Sequence, residues 1–164
     1  MLNETLTQEE FEAIYQIVRK YKENKPDEKY EDYDDFEEPI DKRLITSILK
    51  KINKNIPKET KEEIDKDFLR KRYHPYNNEI DKKSYSVLEN GFDQLKTVEI
   101  SYFNMDGAEF KKRKLDIYYK SRKYTIGYCH LRKGIRKFRT SRIASAKLTD
   151  DNYKIPENFN KNRY

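Results

Sequence analysis

Apolar positions follow two periods along the chain, helical up to Leu95 and alternating beyond it. Thr7 and Glu10 form a capping box, and Phe11, Ile14, Tyr15 and Val18 share one face of a first helix that should run to about Tyr21. Asp41 caps a second helix with the stripe Leu44, Ile45, Ile48, Leu49 and Ile52, which Ile56-Pro57 stops. A third helix is expected from Glu59 to about Arg72, with Ile64, Phe68 and Leu69 inward. Tyr73-His74-Pro75-Tyr76-Asn77-Asn78 reads as a turn, and a fourth helix runs from about Lys83 to Leu95 on Leu88, Phe92 and Leu95.

After Leu95 the period falls to two. Val98, Ile100 and Tyr102 alternate with Thr97, Glu99 and Ser101, the pattern of a strand with one buried face. Asn104-Met105-Asp106-Gly107 is a hairpin turn into a strand from Phe110 to Tyr118. Tyr124, Ile126 and Tyr128 mark a third strand, and Lys133-Gly134 turns into Ile135–Arg139 and then Arg142–Leu148. The fold class is therefore α+β. A helical region over 1–82 is followed over 83–164 by a leading helix and a small five-stranded β-barrel of the SH3 or Sm type.

Charge adds a division that the apolar pattern does not show. Between Lys111 and Lys147 stand fourteen Lys or Arg and one acid, Asp116, a net +13; the whole chain carries +6, so the remainder carries −7. Asp27 to Glu38 holds eight acids and one Lys, so residues 22–40 read as an acidic linker. Like charges this dense favour a solvated loop, although Tyr30, Tyr33 and Phe36 give it the means to dock.

The same composition narrows the classes of function. No apolar run reaches the roughly 18–20 residues that span a bilayer, and MLNETLTQEE has acids where a secretory leader needs a positive start. Cys129 is the only cysteine, which leaves no internal disulfide and no cysteine-built zinc site. A cytoplasmic protein without cofactor is expected. There is no Gly-rich phosphate loop, and the basic segment offers a single carboxylate to any metal-assisted chemistry, so binding is expected rather than catalysis.

The binding chemistry concentrates between Tyr124 and Ile143. Arginine presents a planar fork of donors suited to phosphate oxygens, and aromatic rings beside it can stack on bases. If the strand continued, Tyr124, Ile126, Tyr128, His130 and Arg132 would project to one side. In strict alternation Arg136 and Arg142 share a face and Arg139 points away, so a bulge would be needed to converge all three. Tyr102, Tyr124 and Tyr128 suit either a barrel core or a stacking platform. Phe138 and Ile143 are core, Cys129 is a small buried hydrophobe, and His74 belongs to its turn.

Tyr128-Cys129 followed by Arg136, Phe138, Arg139, Arg142 and Ile143 resembles the WYL domain of bacterial transcriptional regulators. Glu99-Ile100-Ser101-Tyr102 with Asp106-Gly107 and Arg113 is similar to that family's opening hairpin, and Tyr153, Pro156 and Phe159 to its exit segment. The naming triplet reads Lys123-Tyr124-Thr125 here, and the winged helix-turn-helix that begins many members is not legible. The resemblance spans about Ser84 to Phe159. It implies a regulatory sensor whose pocket is lined by Tyr102, Arg113, Tyr124, His130, Arg132, Arg136, Arg139 and Arg142. The ligand implied is a nucleotide, oligonucleotide or other anionic effector, with a DNA-binding partner or a homodimer as further partners. A direct single-stranded nucleic-acid-binding module and a protein-interaction adaptor are the alternatives.

Overall fold

The computed structural model describes residues 6–23 and 40–164, and the acidic stretch from Pro26 to Pro39 lies outside the described residues. The chain separates into two compact units, 1–65 and 66–164. The first contains α1 (Gln8–Glu23), α2 (Lys42–Ile52) and the opening turns of α3 (Lys58–Arg72).

The capping box forms as its residue types require. The Thr7 amide donates to Glu10 Oε2 at 2.7 Å, and the Glu10 amide donates to Thr7 Oγ1 at 3.3 Å. Tyr15, Ile45, Leu49, Ile52 and Ile56 make the core of this unit, with Phe11, Ile14, Val18, Ile48 and Ile64 packed around it. Tyr15 donates its hydroxyl to Asp65 Oδ1 at 2.7 Å, and Arg19 pairs with the same oxygen at 3.3 Å. Leu44, expected in the α2 stripe, is exposed, because the helix buries only the narrower face through Ile45, Leu49 and Ile52.

The second unit continues from α3 into α4 (Lys82–Asp93) and five strands: β1 (Lys96–Asn104), β2 (Glu109–Lys120), β3 (Tyr124–Cys129), β4 (Gly134–Arg139) and β5 (Ile143–Asn152). Asp81 caps α4 by accepting from the Ser84 amide and hydroxyl, both at 2.7 Å. Neighbouring strands pair antiparallel in the order β4-β3-β2-β1-β5. The α+β class is thus met. The sheet is open rather than closed into the expected barrel, because β4 and β5 end the order and no ladder joins them among the described residues.

One face of the sheet carries α4. Leu88 is packed there against Val98, Ile100, Leu115, Ile117, Cys129, Phe138 and Ile143. A smaller cluster of Tyr73, Phe103 and Ala108 sits against Leu69 and Met105. Tyr73, read as part of a turn, is in fact a core residue that stacks on Phe103 at 4.6 Å. Its spacing of four from Leu69 was the sequence signal for that burial.

Candidate functional site

Strand register decides which of the eight candidate residues can meet. On β2, Arg113 lies opposite Ile100, and on β4 Arg136 lies opposite Gly127, itself opposite Ile117. Both arginines therefore stand on the α4-bearing face. Tyr124 pairs with Arg139 one step out of phase, on the opposite face. The eight residues divide into separate groups and form no single ring.

On the helix-bearing face, Tyr102 meets Phe138 edge-on with centroids 5.0 Å apart, and the Arg113 guanidinium lies 5.8 Å from the same ring. Arg113 Nη1 approaches Cys129 Sγ at 3.9 Å, while its buried Nε has no hydrogen-bond partner. The Tyr102 hydroxyl accepts from the Arg139 amide at 3.3 Å and so ties β1 to the end of β4. Arg136 is exposed.

The opposite face gathers three cations around one ring. Around the half-buried Tyr124 ring lie Lys137 Nζ at 4.4 Å, Lys123 Nζ at 5.4 Å and the Arg139 guanidinium at 5.9 Å. Each distance is within cation–π range. Among the described residues, none of the Lys or Arg side chains from Arg122 to Arg142 forms an ion pair, whereas Lys111, Lys114 and Lys120 are paired with Glu109, Asp151 and Glu89. The cations of β4 and its flanking turns therefore lack carboxylate side-chain partners, while Lys137 Nζ donates to the Tyr164 oxygen at 2.9 Å. Sequence reasoning selected Tyr124 and Arg139 but missed Lys123 and Lys137. Their signal lay in the register, which brings a residue two positions before Arg139 diagonally across from Tyr124.

His130 and Arg132 leave the strand, because β3 ends at Cys129 and a turn begins at His130. They do not extend the Tyr124 row. His130 Nε2 bonds to Asp116 Oδ1 at 2.9 Å, and the Thr97 hydroxyl donates to that same oxygen at 2.6 Å. Burial pushes the Tyr153 phenol up, with the Asp116 carboxylate adding to the effect. The lone acid of the basic segment thus serves the sheet. His130 also borders an open cleft of about 310 Å³ with Glu99, Lys112, Arg113, Lys114 and Leu131. Arg132 is exposed, and its amide donates to the Cys129 carbonyl at 3.1 Å.

Arg142 is diverted too. A 3-10 turn over Thr140–Arg142 interrupts the alternation between β4 and β5, and Arg142 Nε donates to the Tyr73 carbonyl at 3.4 Å. Arg139 Nη1 donates to the Pro75 carbonyl. A larger cleft of about 520 Å³ lies nearby, where Arg72, Lys82 and Lys83 face Glu79 and Asp81 over Tyr73, Ile80 and Ile143. Among the described residues no group of His, Cys, Asp and Glu gathers to hold a metal ion, and no helix is long and apolar enough to cross a membrane.

A five-stranded antiparallel sheet with a helix on one face and cations gathered around Tyr124 on the other defines an α+β module. Residues 84–148 match the family model of the WYL domain. No curated protein matches the chain. Among solved structures it is similar to the proteasome accessory factor B/C (PafBC) of Arthrobacter aurescens, at 15% identity and a TM-score of 0.38. That similarity covers 90% of this chain and 21% of the other, so the chain spans about a fifth of that protein's length.

Proposed function

We propose that this WYL domain is the regulatory, ligand-sensing part of a transcription regulator and takes an anionic effector on the Tyr124 face. The carrying observation is the set of three cations, Lys123, Lys137 and Arg139, held around one tyrosine ring with no Asp or Glu paired to them among the described residues, although Lys137 Nζ donates to the Tyr164 oxygen at 2.9 Å and Arg139 to the Pro75 carbonyl. A phosphate group placed there gains charge-assisted hydrogen bonds in exchange for those that Lys137 and Arg139 make to the Tyr164 and Pro75 oxygens, with no Asp or Glu to displace. A nucleotide or short oligonucleotide combines such phosphates with bases that can stack on an aromatic side chain.

In this reading the domain proper begins near residue 83 and acts in the cytoplasm. It binds rather than catalyses, and its helical region addresses a DNA-binding partner or a second copy. Arg113, with its buried and unpaired Nε beside Tyr102 and Phe138, offers a second contact on the helix-bearing face.

Fluorescence anisotropy of the full chain with labelled oligothymidylates of increasing length tests the proposal. Lys137→Ala and Tyr124→Ala should each weaken binding by about fivefold or more. Lys137→Ala should also reduce the salt slope by about 0.7, the value of one single-strand phosphate contact. Affinity that saturates at a short length marks a sensor pocket. Affinity that keeps rising with length marks a general single-strand binder. Absence of salt-sensitive binding, or binding untouched by both substitutions, overturns the assignment.

A further inference from the structure

Arg139 belongs to two constellations at once. Its guanidinium lies within the cation group around Tyr124, 5.9 Å from the ring centroid, and its Nη1 donates to the Pro75 carbonyl. Three residues on, Arg142 Nε donates to the Tyr73 carbonyl at 3.4 Å. Both carbonyls belong to the short segment between α3 and α4.

That segment is also held from its other side. The Tyr73 ring stacks on Phe103 at 4.6 Å and meets Phe110 edge-on at 5.7 Å. Its amides are bonded: Tyr73 to the Leu69 carbonyl at 3.0 Å, His74 to Lys71 at 3.3 Å, and Asn77 to His74 at 2.9 Å. Two arginines from the end of the sheet thus grip a segment that otherwise rests on one aromatic cluster.

A peptide carbonyl is a neutral acceptor, whereas a phosphate oxygen is charged and accepts a hydrogen bond roughly twice as strong. Swinging the fork toward Tyr124 carries Nη1 away from Pro75. We infer that Arg139 is a donor shared between the anion site and a latch on the Tyr73–Tyr76 segment, so that effector binding opens the latch while Arg142 forms its second bolt. This rests on the anion-site reading above and adds its regulation. By reciprocity, whatever loosens the latch must tighten the site.

Two measurements on the full chain decide it, with a short oligothymidylate as the probe. Hydrogen exchange resolved at the Tyr73, His74 and Asn77 amides should speed up by about threefold or more when the probe is bound, the effect of losing one modest hydrogen bond. Arg142→Ala should bind the probe about threefold to tenfold more tightly, and Arg142→Lys should fall between it and the parent. Tighter binding after removal of a positive charge is not expected of a residue that merely contributes to the field or to stability. If the probe binds but exchange at these amides is unchanged or slower, the latch is overturned and the anion site stands. Arg142→Ala binding that is unchanged or weaker has the same meaning. If neither the oligothymidylate nor pyrophosphate binds, both fall together.

Discussion

Gly127 on β3 lies opposite Ile117 on β2, and replacing it by alanine tests the register on which the site geometry depends. A Cβ there would lie 2.1 Å from the Asp116 carbonyl oxygen, 2.9 Å from its carbon and 3.0 Å from Ile117 Cα. Ordinary contact starts at 3.4 Å, so the oxygen would have to retreat by about 1.3 Å. All three obstructing atoms are backbone, and no side-chain rotation relieves them. Leu115 and Ile117 on the same strand are fully buried in the main cluster, so β2 cannot shift without disturbing the core. Overpacking of this kind costs about 1–3 kcal/mol, and each strained ladder bond adds about 0.5–1.5 kcal/mol. With two such bonds affected, Gly127→Ala should lose about 2–6 kcal/mol. For a unit of this size that lowers the melting temperature by about 8 °C or more. Urea unfolding followed by circular dichroism measures the loss. Gly134→Ala is the matched control, because its Cβ would meet only the Arg132 carbonyl oxygen at 3.9 Å. It should change stability by less than about 1 kcal/mol. A Gly127→Ala variant as stable as the Gly134→Ala control would refute the strand pairing described here.

Two further outcomes follow from burial. Leu88→Ala removes a fully buried side chain from between α4 and the sheet and should cost about 2–5 kcal/mol in the same assay; a cost under about 1 kcal/mol would mean that α4 does not pack on this face. Burial raises the pKa of the Tyr15, Tyr73, Tyr118 and Tyr153 phenols. Because the folded values lie above the unfolded value near 10, the stabilisation is complete below about pH 10 and is lost as pH rises through the folded values. Spectrophotometric titration should show a late-ionising set of tyrosines that joins the ordinary set once urea is added. Titration of all tyrosines together in the folded chain would contradict that burial.

Much of the architecture was legible because it is local. The Thr7–Glu10 box, the Asp41 cap and the stripe of α2 depend on residues within a few positions of one another. The switch from period 3.6 to period 2 after Leu95 marked the start of the sheet to within a residue or two, with β1 opening at Lys96. Burial of Phe138, Ile143 and Cys129 followed from residue type and alternation. The site was less legible. Alternation correctly set Arg139 apart from Arg136, but no bulge reunites them, and a 3-10 turn sends Arg142 to the Tyr73 carbonyl.

The sequence by itself determined an α+β chain with helices first and strands after, a basic segment around Tyr124–Ile143, and the residue pattern of a WYL domain. Those properties are sums over neighbours: periodicity, capping and charge count are complete before the chain meets itself. Tertiary structure alone decided that the sheet stays open, that Lys123 and Lys137 join Arg139 around Tyr124, and that Asp116 is committed to Thr97 and His130. Each of these depends on inter-strand register, and a slip of one residue would turn every such side chain to the other face.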